Sequence, residues 1–187
     1  MATPELKRTI ELLFEIGSLR RVQRSHLQNL GKTEDSVLDH SFRVAIIGYA
    51  LATLEHCDAT KVLKMCLWHD LAEARTGDQN WVHKRYVKSL PDKAVRDQFK
   101  NTPFQKEAIV LMKEYKARKT REAIIAKDAD ILEEVLQLKE YADQGNKEAE
   151  RWIPYNIKPL KTSVAKTLAQ LALKSDIHGW WWQGRLK

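Results

Sequence analysis

The sequence predicts an all-α fold. Two observations carry that prediction. Glycine and proline, the residues that interrupt helices, number only seven and five in 187 residues. Long stretches place apolar residues three and four apart, the spacing that lines one face of an α-helix. A third observation bounds the organisation. There is no internal repeat and no low-complexity linker, and the length suits one domain with a substantial core.

Bulk composition narrows the class. Apolar content of 43% and charged content of 30% describe an ordinary globular chain. No apolar run is expected to reach membrane-spanning length. The opening MATPELKRTIELL is charged and amphipathic, without the apolar core of a secretory signal. Cys57 and Cys66 make a poor disulfide framework, so a reducing cytoplasm is expected. The net charge of +7 suits a phosphate-bearing ligand, and equally a chain that merely stays in solution.

The elements follow in order. Residues 5–19, with Leu6, Ile10, Leu13, Phe14 and Ile16, make a first amphipathic helix starting after Pro4. Residues 19–31 are basic and irregular and read as a loop or broken helix. Thr33 or Asp35 is placed to cap a helix over 36–56 that is apolar nearly all round and so central. Asp58-Ala59-Thr60 begins another, running to Gly77. Between Pro91 and Pro103 a short helix is expected over 92–100, followed by one over 104–118. Thr120 caps a long helix over 121–144, stopped by Gly145. Short helical stretches are expected over 146–152 and 163–175. The three tryptophans at 180–182 read as a packing or subunit anchor.

The chemistry gathers around LWHDLAEARTGD, residues 67–78. His69 and Asp70 lie side by side in an apolar run, where burying them is costly unless something pairs with them. A divalent metal is such a partner, since imidazole and carboxylate both ligate it. On a helix Glu73 shares a face with both. Asp78, after Gly77, belongs at the rim of a pocket. His40 lies in the apolar helix upstream. Asp128 and Asp130 both lie in IIAKDADILEEV, and periodicity does not choose between them. One histidine, a His-Asp pair and a late aspartate total two imidazoles and two carboxylates. That set suits a first-row divalent ion with open positions.

The order H…HD…D, with HDLAEARTGD around the doublet, DHSFRVA around His40 and KDADILE followed by Gln137, resembles the HD-domain metal-dependent phosphohydrolases. Within them it is similar to the small 5′-deoxynucleotidases that act on deoxyribonucleoside 5′-monophosphates. The resemblance covers roughly residues 5–145. It implies a single HD-type helical bundle over 1–187, with 146–187 as a helical extension and the metal site between central helices. It implies His40, His69, Asp70 and Asp130 as ligands, Asp130 being chosen by its place after Lys127. It implies Glu73 as the catalytic acidic residue and Asp78 on the sugar side. Arg24 matches a phosphate-binding arginine, Lys84 a basic residue after the GD, and Glu114 a pocket glutamate. The family commonly has a tryptophan soon after the arginine, whereas this chain has Ser25-His26. His26, His56, His83 and His178 lack ligand-like surroundings.

The function expected is therefore phosphate-ester hydrolysis with one divalent metal: manganese, cobalt, iron or zinc, with magnesium also allowed. The expected partners are a nucleotide substrate and further copies of the chain, with neither nucleic acid nor membrane. A deoxynucleoside triphosphate hydrolase releasing tripolyphosphate is the alternative on the same quartet. A non-catalytic nucleotide or nucleic-acid binding module is a third reading.

Overall fold

The computed structural model describes residues 2–32 and 34–182. Among them there is no β-strand, only an isolated antiparallel bridge between Gln23 and Ser36. Helix α1 spans Pro4–Gly17, with Thr3 capping its first turn and Pro4 at its start. Its apolar face is less buried than its pattern predicts. Leu12 is buried and Ile16 packs on the core, but Leu6, Ile10, Leu13 and Phe14 are exposed. Polar contacts fix how the helix lies: Arg8 donates to the Gln98 carbonyl at 2.6 Å, and Glu15 accepts from Arg75 and Gln98.

The irregular basic stretch becomes two 3-10 turns, Ser18–Arg21 and Ser25–Leu30. The second is anchored by Leu27 and Leu30, which pack with Leu138, Tyr141, Ala149 and Ile153. That anchoring orients Ser25 at its start and Arg24 just ahead of it. Helix α2 spans Val37–Leu54. Its cap is Ser36, in a reciprocal capping box with Asp39. Thr33 lies outside the described residues, and Asp35 instead accepts from Gln137 and from the Tyr141 hydroxyl. By length and composition α2 passes as a membrane span, with mean hydropathy 1.3 over 18 residues, which corrects the expectation that no such run exists. In the fold its inner face buries Val37, Val44, Ala45 and Leu51, while Phe42, Ile46, Tyr49 and Leu54 stay exposed.

The helix expected to run unbroken from Asp58 to Gly77 is broken at the His-Asp doublet. Helix α3 is Ala59–Trp68, and α4 is only Glu73–Thr76. Between them the backbone tightens: Leu71 N reaches Trp68 O, and Glu73 N reaches Asp70 O. A short α5, His83–Tyr86, stands where no helix was expected, and α6 spans Pro91–Phe99. Helix α7 is Gln105–Ala117, and α8 is Arg121–Asp143, capped by Thr120. Helices α9 (Lys147–Ile157) and α10 (Ser163–Lys174) follow, capped by Asn146 and Thr162. The final α11, Gly179–Trp182, keeps Trp180–Trp182 exposed rather than packed in the core.

Three helices meet at Gly48. A Cβ there would lie 2.4 Å from Cys66 Sγ of α3 and 3.5 Å from Ala129 Cβ of α8. The missing side chain lets α2, α3 and α8 approach closely. His40 lies two turns before that crossing on α2. His69 follows Cys66 by three residues, and Asp130 follows Ala129. The tight crossing is what brings the three together.

Candidate metal centre and active site

His40, His69 and Asp130 each offer a ligand atom, and these atoms lie within 4.8 Å of one another. His40 Nε2 is 3.3 Å from Asp130 Oδ1 and 3.6 Å from Asp70 Oδ2. His69 Nε2 is 3.1 Å from Asp70 Oδ2 and 3.8 Å from Asp130 Oδ1. Ligand bonds of about 2.1 Å put neighbouring donor atoms about 3.0 Å apart at right angles and about 3.4 Å apart in a tetrahedron. His40, His69 and Asp130 are spaced to share one small cation, and Asp70 stands beside the two imidazoles.

The imidazoles are set for that task. Each has its Nδ1 tied: His40 to Glu133 Oε2, and His69 to the Cys66 carbonyl at 2.7 Å. Nδ1–H donates in both, which leaves Nε2 a lone pair. Both Nε2 atoms are buried without a hydrogen bond of acceptable geometry. An orphaned acceptor in the interior is costly, and a cation between the carboxylates removes that cost. The break after α3 contributes directly. By leaving the helix at His69, the chain frees the Cys66 carbonyl for that imidazole.

Charge points the same way. Burial opposes protonation of His69, but Asp70 and Asp130 outweigh it and raise it to about 10. Burial raises Asp70, but His69 outweighs it and holds it down near about 2. Asp130 lies well below the usual carboxylate range, Lys127 and the two histidines overcoming its burial. The same negative charge draws either a proton or a cation to the Nε2 atoms, and a cation there would take the proton's place.

A cavity of ≈ 210 Å³ opens on the centre. Five carboxyl groups line it (Asp70, Glu73, Asp78, Asp130 and Glu134), facing the basic Arg24, Lys84 and Lys127. Glu73 is raised to about 9, first by burial and then by Asp70 and Asp78, and its buried Oε2 has no partner. Arg24 is buried, 3.6 Å from Asp70 and 3.7 Å from Asp78, and its Nε is unpartnered. Asp78 Oδ2 accepts from Ser25 N at 2.8 Å, joining the loop after α4 to the Arg24 segment. Gly77 makes that turn at φ +69°, a region that favours glycine.

The HD domain family is matched over residues 16–172, most of the chain. The chain belongs to the HD-domain family. The 5′-deoxynucleotidase HDDC2 of Dictyostelium discoideum is 34% identical over 149 residues, covering 72% of this chain and 78% of that one. The PH0347 protein from Pyrococcus horikoshii OT3 superposes with a TM-score of 0.73 at 32% identity, over 88% of this chain and 98% of its own. In fold alone, the chain also matches a cyanophage S-2L HD phosphohydrolase (DatZ), described as bound to dA and one catalytic Zn2+ ion. There the TM-score is 0.53 at 19% identity, over 86% of this chain and 93% of that one.

Most of the residues anticipated for this HD-domain site meet. His40, His69, Asp70, Asp130, Glu73, Asp78, Arg24 and Lys84 lie at the centre or line its cavity. Glu114 does not. It sits outside the cavity, paired with Lys61 at 2.7 Å and accepting from Thr120 Oγ1, so its charge is spent on α3 and the turn before α8. Asp128 takes another task. It is buried and accepts from Lys161 N, Thr162 N and Thr162 Oγ1, holding the turn into α10.

Several other residues at the site leave little sign in the sequence. Glu133, buried on α8, orients His40 and binds Arg43. An acid three residues after Asp130 in an apolar run was its available signal. Lys127 bonds Asp130 at 2.7 Å across one helical turn. His26 is buried and lines the cavity, as do Glu134 and the exposed Trp81. Their approach depends on how separate loops come together, which no local pattern records.

Proposed function

We propose that this HD-domain protein is a metal-dependent 5′-deoxynucleotidase, hydrolysing deoxyribonucleoside 5′-monophosphates to nucleoside and phosphate. One observation carries the reading. Two buried, orphaned Nε2 atoms and two aspartates converge beside an unpartnered Glu73 carboxyl and the Arg24 guanidinium. The similarity to relatives named as 5′-deoxynucleotidases supports the choice of substrate.

His40, His69, Asp70 and Asp130 would hold the ion. Two imidazoles favour manganese, cobalt, iron or zinc over a purely hard cation, with magnesium admitted. When bound, the ion supplies Lewis acidity, neutralising phosphoryl charge and making hydroxide accessible near neutral pH. The cavity's excess of carboxylates makes phosphate entry depend on that neutralisation. Arg24 gives the phosphate charge-assisted hydrogen bonds, with Lys84 and Lys127 at the rim. Attack of water oxygen on phosphorus forms a new P–O bond as the P–O5′ bond breaks; the leaving alkoxide takes a proton, and the proton that water sheds stays with the phosphate or restores the donor. Glu73, raised to about 9 by burial and by Asp70 and Asp78, is the carboxyl placed to give the alkoxide its proton. Asp78 has Oδ2 engaged by Ser25 N and keeps Oδ1 to accept from a sugar hydroxyl.

The triphosphate alternative uses the same quartet. Of the run Lys84, Arg85 and Lys88, only Lys84 lines this cavity, which favours a short phosphate group. The exposed Phe42, Ile46, Tyr49 and Leu54 of α2 support self-association of the chain.

The test is a phosphate-release screen of deoxynucleoside mono- and triphosphates across divalent metals. Inorganic phosphate from the monophosphates is expected, and tripolyphosphate from triphosphates selects the rival. Alanine at His69 or Asp70 abolishes metal binding and turnover together. Glu73→Ala spares the metal and lowers kcat by about 10²- to 10⁴-fold. Full activity of metal-loaded Glu73→Ala contradicts its assigned role.

A further inference from the structure

The catalytic cavity is lined by charged, amide and small polar groups, and Trp81 is the one large aromatic side chain among them. A phosphate and a sugar find partners in such a cavity. A flat, largely apolar nucleobase does not. Trp81 is 75% exposed and also lines two adjoining clefts. One, of ≈ 610 Å³, is shared with Trp152 and Tyr155. The other, of ≈ 220 Å³, is shared with Trp152, Asn29 and Arg85. The indole is thus a wall common to the polar cavity and to an aromatic cleft beside it.

The backbone turn that carries Trp81 and the side chain of Trp152 are both tied to the fold. Asn80 Oδ1 accepts from Val82 N at 3.0 Å and His83 N at 3.1 Å, closing the turn that carries Trp81. Asn80 Nδ2 also donates to Ser25 O at 3.4 Å, tying that turn to the segment bearing Arg24. Trp152 is half-buried against the cluster built on Leu27, Leu138 and Tyr141. The turn bearing Trp81 is therefore anchored beside the phosphate-binding arginine.

We propose that Trp81 and Trp152 form the nucleobase subsite. The base of a deoxynucleoside 5′-monophosphate stacks on Trp81 while its phosphate occupies the cavity of Arg24, Asp70 and Asp130. The inference rests on the functional reading above and adds the group that recognises the base. Every base has a π-face, so a stacking platform accepts purines and pyrimidines alike. It also supplies the aromatic surface that Ser25-His26 do not. Asn29 and Arg85, along the cleft, offer donors to a base edge.

The experiment compares wild type, Trp81→Ala and Trp81→Phe on deoxyadenosine and thymidine 5′-monophosphates and on 2-deoxyribose 5-phosphate, which has no base. Equilibrium dialysis of deoxyadenosine provides a second readout that needs no turnover. Trp81→Ala is expected to raise KM for the nucleotides about 5- to 150-fold, the range found for one base–aromatic stack. The loss of kcat/KM is at least about fivefold larger for the nucleotides than for deoxyribose 5-phosphate, and Trp81→Phe recovers most of the nucleotide affinity. Equal effects on nucleotides and deoxyribose 5-phosphate, or no effect on either, overturn the subsite. A wild type that releases phosphate from no nucleotide defeats the functional reading alone. Deoxyadenosine retention lost in Trp81→Ala then still supports the subsite, and unchanged retention overturns it.

Discussion

Replacing Glu133 by glutamine tests whether the metal site depends on what stands behind its ligands. Glu133 is 1% exposed. One carboxylate oxygen accepts from His40 Nδ1, and the other accepts from Arg43 Nε at 3.0 Å, with Arg43 Nη2 ion-paired to it at 2.8 Å. Burial alone would raise its pKa, but His40 and Arg43 outweigh that and hold it below the usual range. Glutamine keeps the shape and removes the charge. It also places an NH2 where only acceptors fit, facing either Arg43 or His40 Nδ1–H. In the second arrangement the imidazole proton is driven to Nε2, the atom aimed at the metal. Losing such an orienting partner lowers metal affinity about 10- to 100-fold, or about 1.4–2.8 kcal/mol. Loss of one charge-assisted hydrogen bond, about 1.5–3 kcal/mol, gives the same size independently. The assay is a competition titration against a chelator, with kcat measured at saturating metal and folding checked by thermal unfolding. Weaker metal binding with kcat within a few-fold of wild type is expected. Unchanged affinity in a folded Glu133→Gln protein refutes the argument.

Three further outcomes follow from the same geometry. Asp128→Ala leaves several donors of the turn into α10 unpaired and should cost about 3 kcal/mol in urea unfolding while metal stoichiometry is retained; metal loss would reverse the roles given to Asp128 and Asp130. Gly48→Ala forces a methyl against Cys66 Sγ and should cost about 1–3 kcal/mol, whereas an unchanged Tm denies that the three-helix crossing is tight. Burial, with Arg24 adding to it, lowers His26 to about 4 from an ordinary 6.5. Since the folded value is the lower one, the unfolded chain binds the extra proton, and stability falls as pH drops from about 6.5 towards 4. The contribution reaches up to about 3 kcal/mol, and His26→Gln should flatten that part of the stability–pH curve; an identical slope contradicts the burial of a neutral imidazole.

Much of the fold was legible because helices announce themselves locally. Pro4, Thr120 and Asn146 mark helix starts where the structure has them. The interruption at His69 was not legible, because apolar spacing continues through Leu71 and Ala72 while the imidazole takes the Cys66 carbonyl. Helix α1 misled in the opposite way: its apolar stripe is real, but Arg8 and Glu15 decide how it lies. At the site, periodicity could not separate Asp128 from Asp130, because α8 is buried on several sides and has no single inward face. The motif separated them, and the contacts supply the reason. Trp81, His26 and Glu134 come from segments that approach only in the folded chain.

The most direct measurement is the metal content of the purified chain after equilibration with limiting manganese or zinc, compared between wild type and the single variants His40→Ala and Asp130→Ala. One ion per wild-type chain, with each variant nearly empty yet folded, is the result the account predicts. Undiminished metal in either folded variant would mean that α2 and α8 do not complete the site begun at His69-Asp70.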